Sequence, residues 1–193
     1  MSMLQQVVLA QRGRQPRPVI TAPTLTLDPA FISAYTTLSG GNLTATGSTV
    51  NTARATAAFS SGVYWVECEV LAENPSYPGH VMFGLCNGSA PAYYYPGQTT
   101  DSISYYGYSA GGILRDASIV ASATPFAAGD VLNALVDADD KVVRFYRNGV
   151  AATALYSYGF SSAFVAVGGV FSGVSCRLNF GATSFIYGPP ATI

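Results

Sequence analysis

The stretch Ser61-Gly62-Val63-Tyr64-Trp65-Val66-Glu67-Cys68-Glu69-Val70 decides how the rest of the chain is read. Side chains alternate across a strand with a period of two. Tyr64, Val66, Cys68 and Val70 therefore share one face, and Val63, Trp65, Glu67 and Glu69 share the other. Two carboxylates on the second face predict a half-buried strand whose outer side is wet.

Working outward, the pattern repeats. Residues 80–86 form a continuous apolar run, His80-Val81-Met82-Phe83-Gly84-Leu85-Cys86, which predicts a strand covered on both faces. Residues 131–137 and 141–147 read as two more strands. Asn148-Gly149 then supplies the strongest short hairpin signal in the chain, because both residues tolerate the positive φ that a tight hairpin turn needs. Residues 42–46 (between glycines), 54–59, 164–170 and 175–180 complete the series. No segment shows helical periodicity with caps, and no internal repeat is visible. Many short strands separated by turn signals predict an all-β fold, an antiparallel β-sandwich or jelly roll spanning residues 25–193.

The composition is charge-poor. Only 10% of the 193 residues are charged, against about 25% in an ordinary soluble domain. Tyr and Phe are abundant at 13 and 10 copies. A surface with few ions favours association, so a homo-oligomer or a multi-copy assembly is expected. The net charge of −1 excludes a chain-wide nucleic-acid signature. The charge is nevertheless uneven. Arg12, Arg14 and Arg17 all precede the first acid, Asp28, and leave the remainder net acidic. With Pro16 and Pro18, residues 1–24 are expected to be an extended basic arm that anchors the chain to a partner. Residues 1–12 lack the pattern of a signal peptide, so export by the general secretory route is not expected. No apolar run reaches the roughly 20 residues of a membrane span.

The ordered blocks also resemble a known family. Residues 61–70, Phe83-Gly84-Leu85, Ser104-Tyr105-Tyr106-Gly107-Tyr108, residues 126–132, Phe145-Tyr146-Arg147-Asn148-Gly149 and Cys176-Arg177-Leu178-Asn179-Phe180-Gly181 are similar, in sequence order, to the signature blocks of the SPRY domain. Val66 stands where the family often has a second Trp, and Arg147 where it commonly has Lys. The resemblance covers residues 25–188 and implies a β-sandwich that binds partners through loops. Those loops are expected at residues 87–104 and 107–123, with Tyr93, Tyr94, Tyr95, Tyr105, Tyr106 and Tyr108 as ligand-binding side chains. The charge-poor Ala/Gly/Ser/Thr text further resembles SPRY-type domains of bacteriophage structural proteins. That likeness implies a virion protein (tail, fibre, baseplate appendage or capsid decoration) whose partners are other virion proteins and a host-surface glycan or protein. A soluble adaptor binding a peptide, and a glycan-cleaving enzyme, are the alternatives.

Several motifs tempt toward chemistry. Gly107-Tyr108-Ser109-Ala110-Gly111 matches a nucleophile elbow, but Gly111-Gly112 would break the helix that must follow, and the only histidine, His80, precedes the serine. Asp137-Ala138-Asp139-Asp140-Lys141 resembles the opening of a calcium loop, yet Lys141 and Val142 stand where a ligand and a glycine belong. Glu67 and Glu69 could serve as paired carboxylates but are expected to be solvated. Cys68, Cys86 and Cys176 lack metal spacing and are expected to be buried thiols. No catalytic residue, metal or cofactor is expected.

Overall fold

The computed structural model describes residues 17–190. These residues form strands β1 (Val19–Ile20), β2 (Leu27–Ile32), β3 (Thr36–Ser39), β4 (Thr44–Gly47), β5 (Asn51–Ala55), β6 (Val63–Ala72), β7 (Val81–Cys86) and β8 (Ser102–Tyr106). They continue through β9 (Gly112–Arg115), β10 (Ser118–Ser122), β11 (Val131–Asp137), β12 (Val142–Arg147), β13 (Val150–Ala151), β14 (Tyr156–Ser157), β15 (Phe164–Gly169) and β16 (Val174–Asn179). There is no helix among the described residues. One sheet runs β13-β12-β11-β6-β16-β4-β3, with β1 and β14 attached to β6 and β12; the other runs β10-β9-β8-β7-β15-β5-β2. All pairings are antiparallel except β1 with β6.

The two sheets face each other across one core. Val66, Cys68, Val70, Leu132, Ala134, Val136 and Phe145 from the first sheet meet Val81, Phe83, Leu85, Ile103, Tyr105, Val165 and Val167 from the second. Phe145 joins them most directly, with ring centroids 6.0 Å from Phe83 and 5.8 Å from Tyr105. The three cysteines are free and buried. Burial is the main reason that the Cys68 and Cys86 thiols lie above their ordinary pKa, Cys86 at about 12.

The central strands are buried on their outer faces too, which corrects the wet face expected around Glu67. Val63, Trp65, Leu135 and Tyr146 form a second apolar cluster, covered by Val19 and Phe185. Glu67 is only 4% exposed. Its carboxylate accepts hydrogen bonds from the backbone N–H groups of Ile186 and Tyr187 (3.2 and 3.0 Å) and from Asn133 Nδ2 (3.3 Å). Trp65 Nε1 donates to Tyr187 O at 2.9 Å. The chain beyond β16 thus folds back as a strap, and Glu67 supplies the acceptor that its backbone needs. Glu69, by contrast, is partly exposed and pairs with Arg177.

On the second sheet, residues 87–101 cross the outer face as another strap. Gly97 N donates to Ser102 Oγ (2.8 Å), and Ser104 Oγ donates to Pro96 O (2.8 Å). Small residues make this possible. A Cβ on Gly168 would meet Pro96 Cδ at 3.1 Å. The expected loop over 107–123 instead contains β9 and β10. Their turn residues, Asp116 and Ala117, both have positive φ (51° and 55°) although neither is glycine, so the hairpin lacked its usual signal. Asn148-Gly149 makes the hairpin that its sequence announces, with φ of 50° and 76°.

Two outcomes follow from this packing. Glu67→Ala strands the buried Asn133 amide and two partly buried backbone donors and should lower stability by at least about 2 kcal/mol in urea unfolding, whereas Glu69→Ala, which removes an exposed pair, should cost less than about 1 kcal/mol. Equal costs would contradict the strap. Ala117→Gly relieves a left-handed backbone and should raise stability by about 0.5–1 kcal/mol; a loss would show the turn to be unstrained.

Candidate functional site

The six candidate tyrosines occupy three different environments. Tyr105 is fully buried. Its ring meets Phe126 edge-on at 4.7 Å, and its hydroxyl donates to Thr124 O. It is a core residue because position 105 faces inward on β8, and it offers a ligand no surface. Tyr93, Tyr94 and Tyr95 ride on the 87–101 strap. Tyr93 is 66% exposed and lies 4.5 Å from the Tyr94 ring. Tyr94 and Tyr95 line a small cleft with Phe31, Thr52, Pro91 and Thr99.

Tyr106 and Tyr108 belong to a cluster that was not legible in the sequence. Tyr106 ends β8 and Tyr108 follows it. They meet Tyr77 and His80 from the β6–β7 connection and Phe171 from the β15–β16 connection. Tyr77 stacks on Phe171 at 4.0 Å, nearly parallel. Phe171 meets the His80 ring edge-on at 4.7 Å. Tyr108 lies over the other part of His80 at 4.1 Å. Tyr106 holds His80 Nδ1 through its hydroxyl at 2.6 Å. Tyr77 and Tyr108 are each about half exposed, at 49% and 47%, while the other three rings lie deeper. The result is a continuous aromatic surface at one end of the sandwich.

The backbone builds this surface from turn residues. Asn74 Oδ1 accepts from Ser76 N at 2.9 Å, and Asn74 Nδ2 donates to Ser172 O at 2.9 Å, tying the Tyr77 loop to the Phe171 loop. Glu73 Oε2 accepts from Gly79 N at 2.7 Å. Gly79 has φ of 79°, and a Cβ there would fall 2.7 Å from the Tyr108 backbone. Only glycine lets residues 79 and 108 approach so closely. The one sequence signal for these residues is aromatic side chains placed in glycine- and proline-rich turns, Asn74-Pro75-Ser76-Tyr77-Pro78-Gly79 and Val170-Phe171-Ser172-Gly173.

Electrostatically the cluster is neutral. Burial lowers the His80 pKa below its ordinary value. Burial, with Tyr108 and Tyr95 nearby, raises that of Tyr106, which also places Tyr95 of the strap close to the cluster. Neutral imidazole and phenol suit the Tyr106–His80 hydrogen bond and leave no fixed charge among the five rings.

The other candidates are engaged elsewhere. His80 Nδ1 bonds Tyr106 OH rather than Ser109. Arg12 and Arg14 lie outside the described residues. Arg17 lies within them and is bound to its own domain. Its guanidinium pairs with Asp137, with Asp139 at 2.7 Å and with Asp140 at 3.4 Å. The turn that resembled a calcium loop thus holds an arginine. Among the described residues, no three His, Cys, Asp or Glu side chains form a metal-binding group.

This architecture is shared with solved structures. The chain superposes on the SPRY domain of human HERC1 with a TM-score of 0.70, at 18% identity over 82% of this chain and 99% of that one. The fold is SPRY-like. The TRIM65 PSpry domain matches with a TM-score of 0.64 at 14% identity, over 92% of this chain and 99% of that one. A second human SPRY domain matches at 0.63 and 16%, over 79% and 99%. At these identities the SPRY likeness is one of fold. No protein-family model matches the chain, and no curated protein matches it.

The single histidine makes the site easy to test. NMR titration of the His80 ring should give a midpoint below the ordinary 6.5. The folded state then binds the proton less readily than the unfolded one, so His80's contribution to stability is complete above about pH 6.5 and declines as the pH falls. A midpoint at or above 6.5 would contradict the burial described.

Proposed function

We propose that this chain is a non-enzymatic recognition module of a bacteriophage particle, a tail or fibre appendage or a capsid decoration, that binds through the Tyr77–His80–Tyr106–Tyr108–Phe171 surface. The aromatic cluster carries the reading. Half-exposed Tyr rings on a rigid support give large contact area at low entropic cost, and their hydroxyls add directional hydrogen bonds. Tyr95 on the neighbouring strap lies near Tyr106 and extends the same surface.

The absence of fixed charge within the cluster favours a neutral ligand over a phosphorylated or strongly charged one. A host-surface glycan or a protein loop rich in apolar and hydroxyl groups fits this description. The particle setting is supported by the charge-poor composition and by the resemblance to phage SPRY-type domains. In that setting the basic arm joins the domain to its neighbours in the virion. The soluble adaptor reading shares the same surface and differs only in leaving the arm without a docking partner.

The test is binding of the full chain to immobilised glycan and peptide arrays. The double variant Tyr77→Ser/Tyr108→Ser should lose about tenfold or more of the strongest signal, equivalent to about 1.4 kcal/mol. Its thermal midpoint should stay close to that of the parent, because both rings are half exposed. Full retention of binding by the folded double variant would remove the cluster from the binding surface.

A further inference from the structure

The arm does not simply trail from the sandwich; its last described residues fill a notch in it. β16 accompanies β6 only as far as the Asn179–Glu67 pair. Beyond that point the same edge of β6 is completed by β1, with Val19 opposite Val63 and Ile20 opposite Tyr64, in the one parallel pairing among the described residues. The notch is shaped for a chain. A Cβ on Gly62 would fall 2.5 Å from Ile20 Cδ1, and one on Gly181 would fall 2.6 Å from Thr21 Cβ. Val19 closes the apolar cluster of Val63, Trp65, Leu135 and Tyr146. One step upstream, Arg17 reaches Asp137, Asp139 and Asp140 of the β11–β12 turn.

The occupant is held lightly. β1 is two residues long, Ile20 is 42% exposed, and the segment leading to β2 is bound by few backbone contacts, among them Ala22 N to Phe180 O at 2.8 Å. The notch, by contrast, is built from β6, the β11–β12 turn and Gly181, none of which belongs to the arm. A donor segment and its receptor with separate supports can be satisfied within one chain or between two.

We infer that the Gly62/Gly181 notch with its Asp137–Asp139–Asp140 turn is an arm-docking site, and that it accepts residues 17–20 of a second copy of this chain. This rests on the reading of the arm as an anchor, and it supplies the receptor. Docking within one chain benefits from an effective concentration in the millimolar range, so exchange between copies prevails where copies are held at comparable density, as on a repeating surface. The partner is fixed by the chemistry. A guanidinium must meet three carboxylates, and two residues downstream of it Val19 must cover Trp65 while its backbone pairs with β6.

Complementation between full-length charge-reversal variants tests this. Arg17→Asp spoils the arm and keeps the notch; Asp139→Arg keeps the arm and spoils the notch. Both positions are partly exposed, so both chains should fold, and circular dichroism and cooperative thermal unfolding check this. Each variant alone should sediment as a monomer at a concentration on the order of 1 mM. An equimolar mixture should form a 1:1 dimer, with a dimer fraction about tenfold above either chain alone. A mixture that stays monomeric while both chains are folded would overturn the inference, as would equal dimerisation by Arg17→Asp alone. Aromatic-surface variants do not enter this experiment, so its failure and failure of the recognition reading are separable.

Discussion

The two central strands, β6 and β7, are buried on both faces, and much of the architecture answers that constraint. The inner faces are covered by the opposite sheet. The outer faces need separate covers, since no helix among the described residues supplies them. Residues 182–188 and β1 cover β6, with Glu67 as the acceptor for the strap's backbone. Residues 87–101 cover the other sheet, seated on Ser102, Ser104, Gly168 and Thr52. A strap's own N–H and C=O groups must be satisfied beneath it, and these small polar side chains on otherwise buried strands do that.

The covers also place the aromatic surface proposed to bind partners. The 87–101 strap brings Tyr95 near Tyr106. The loops joining β6 to β7 and β15 to β16 emerge at the same end and add Tyr77 and Phe171. Five rings from three separated segments then support one another, with His80 at their centre.

Much of the fold was legible in the sequence because strands announce themselves locally. The alternation across 63–70, the apolar run 81–86 and the Asn148-Gly149 turn all held in the structure. What was not legible depended on contacts distant in sequence. Glu67 reads as a solvated residue until the chain some 120 positions later returns to cover it. The β9–β10 hairpin was hidden because Asp116-Ala117 adopts a turn usually marked by glycine. Part of the aromatic cluster was missed for the same reason: Tyr77 and Phe171 carry no motif, and only the topology unites them with Tyr106 and Tyr108. Tyr105 was misplaced because a tyrosine-rich run does not reveal that its members alternate between core and surface.

Hydrogen exchange of the full chain, free and saturated with its strongest array ligand, tests the central claim most directly. The account predicts that protection on binding concentrates in residues 73–80, 106–111 and 170–173, with a smaller effect in 93–95. Protection confined to the opposite end of the sandwich, around residues 56–62 and 138–141, with none at the aromatic cluster, would contradict it.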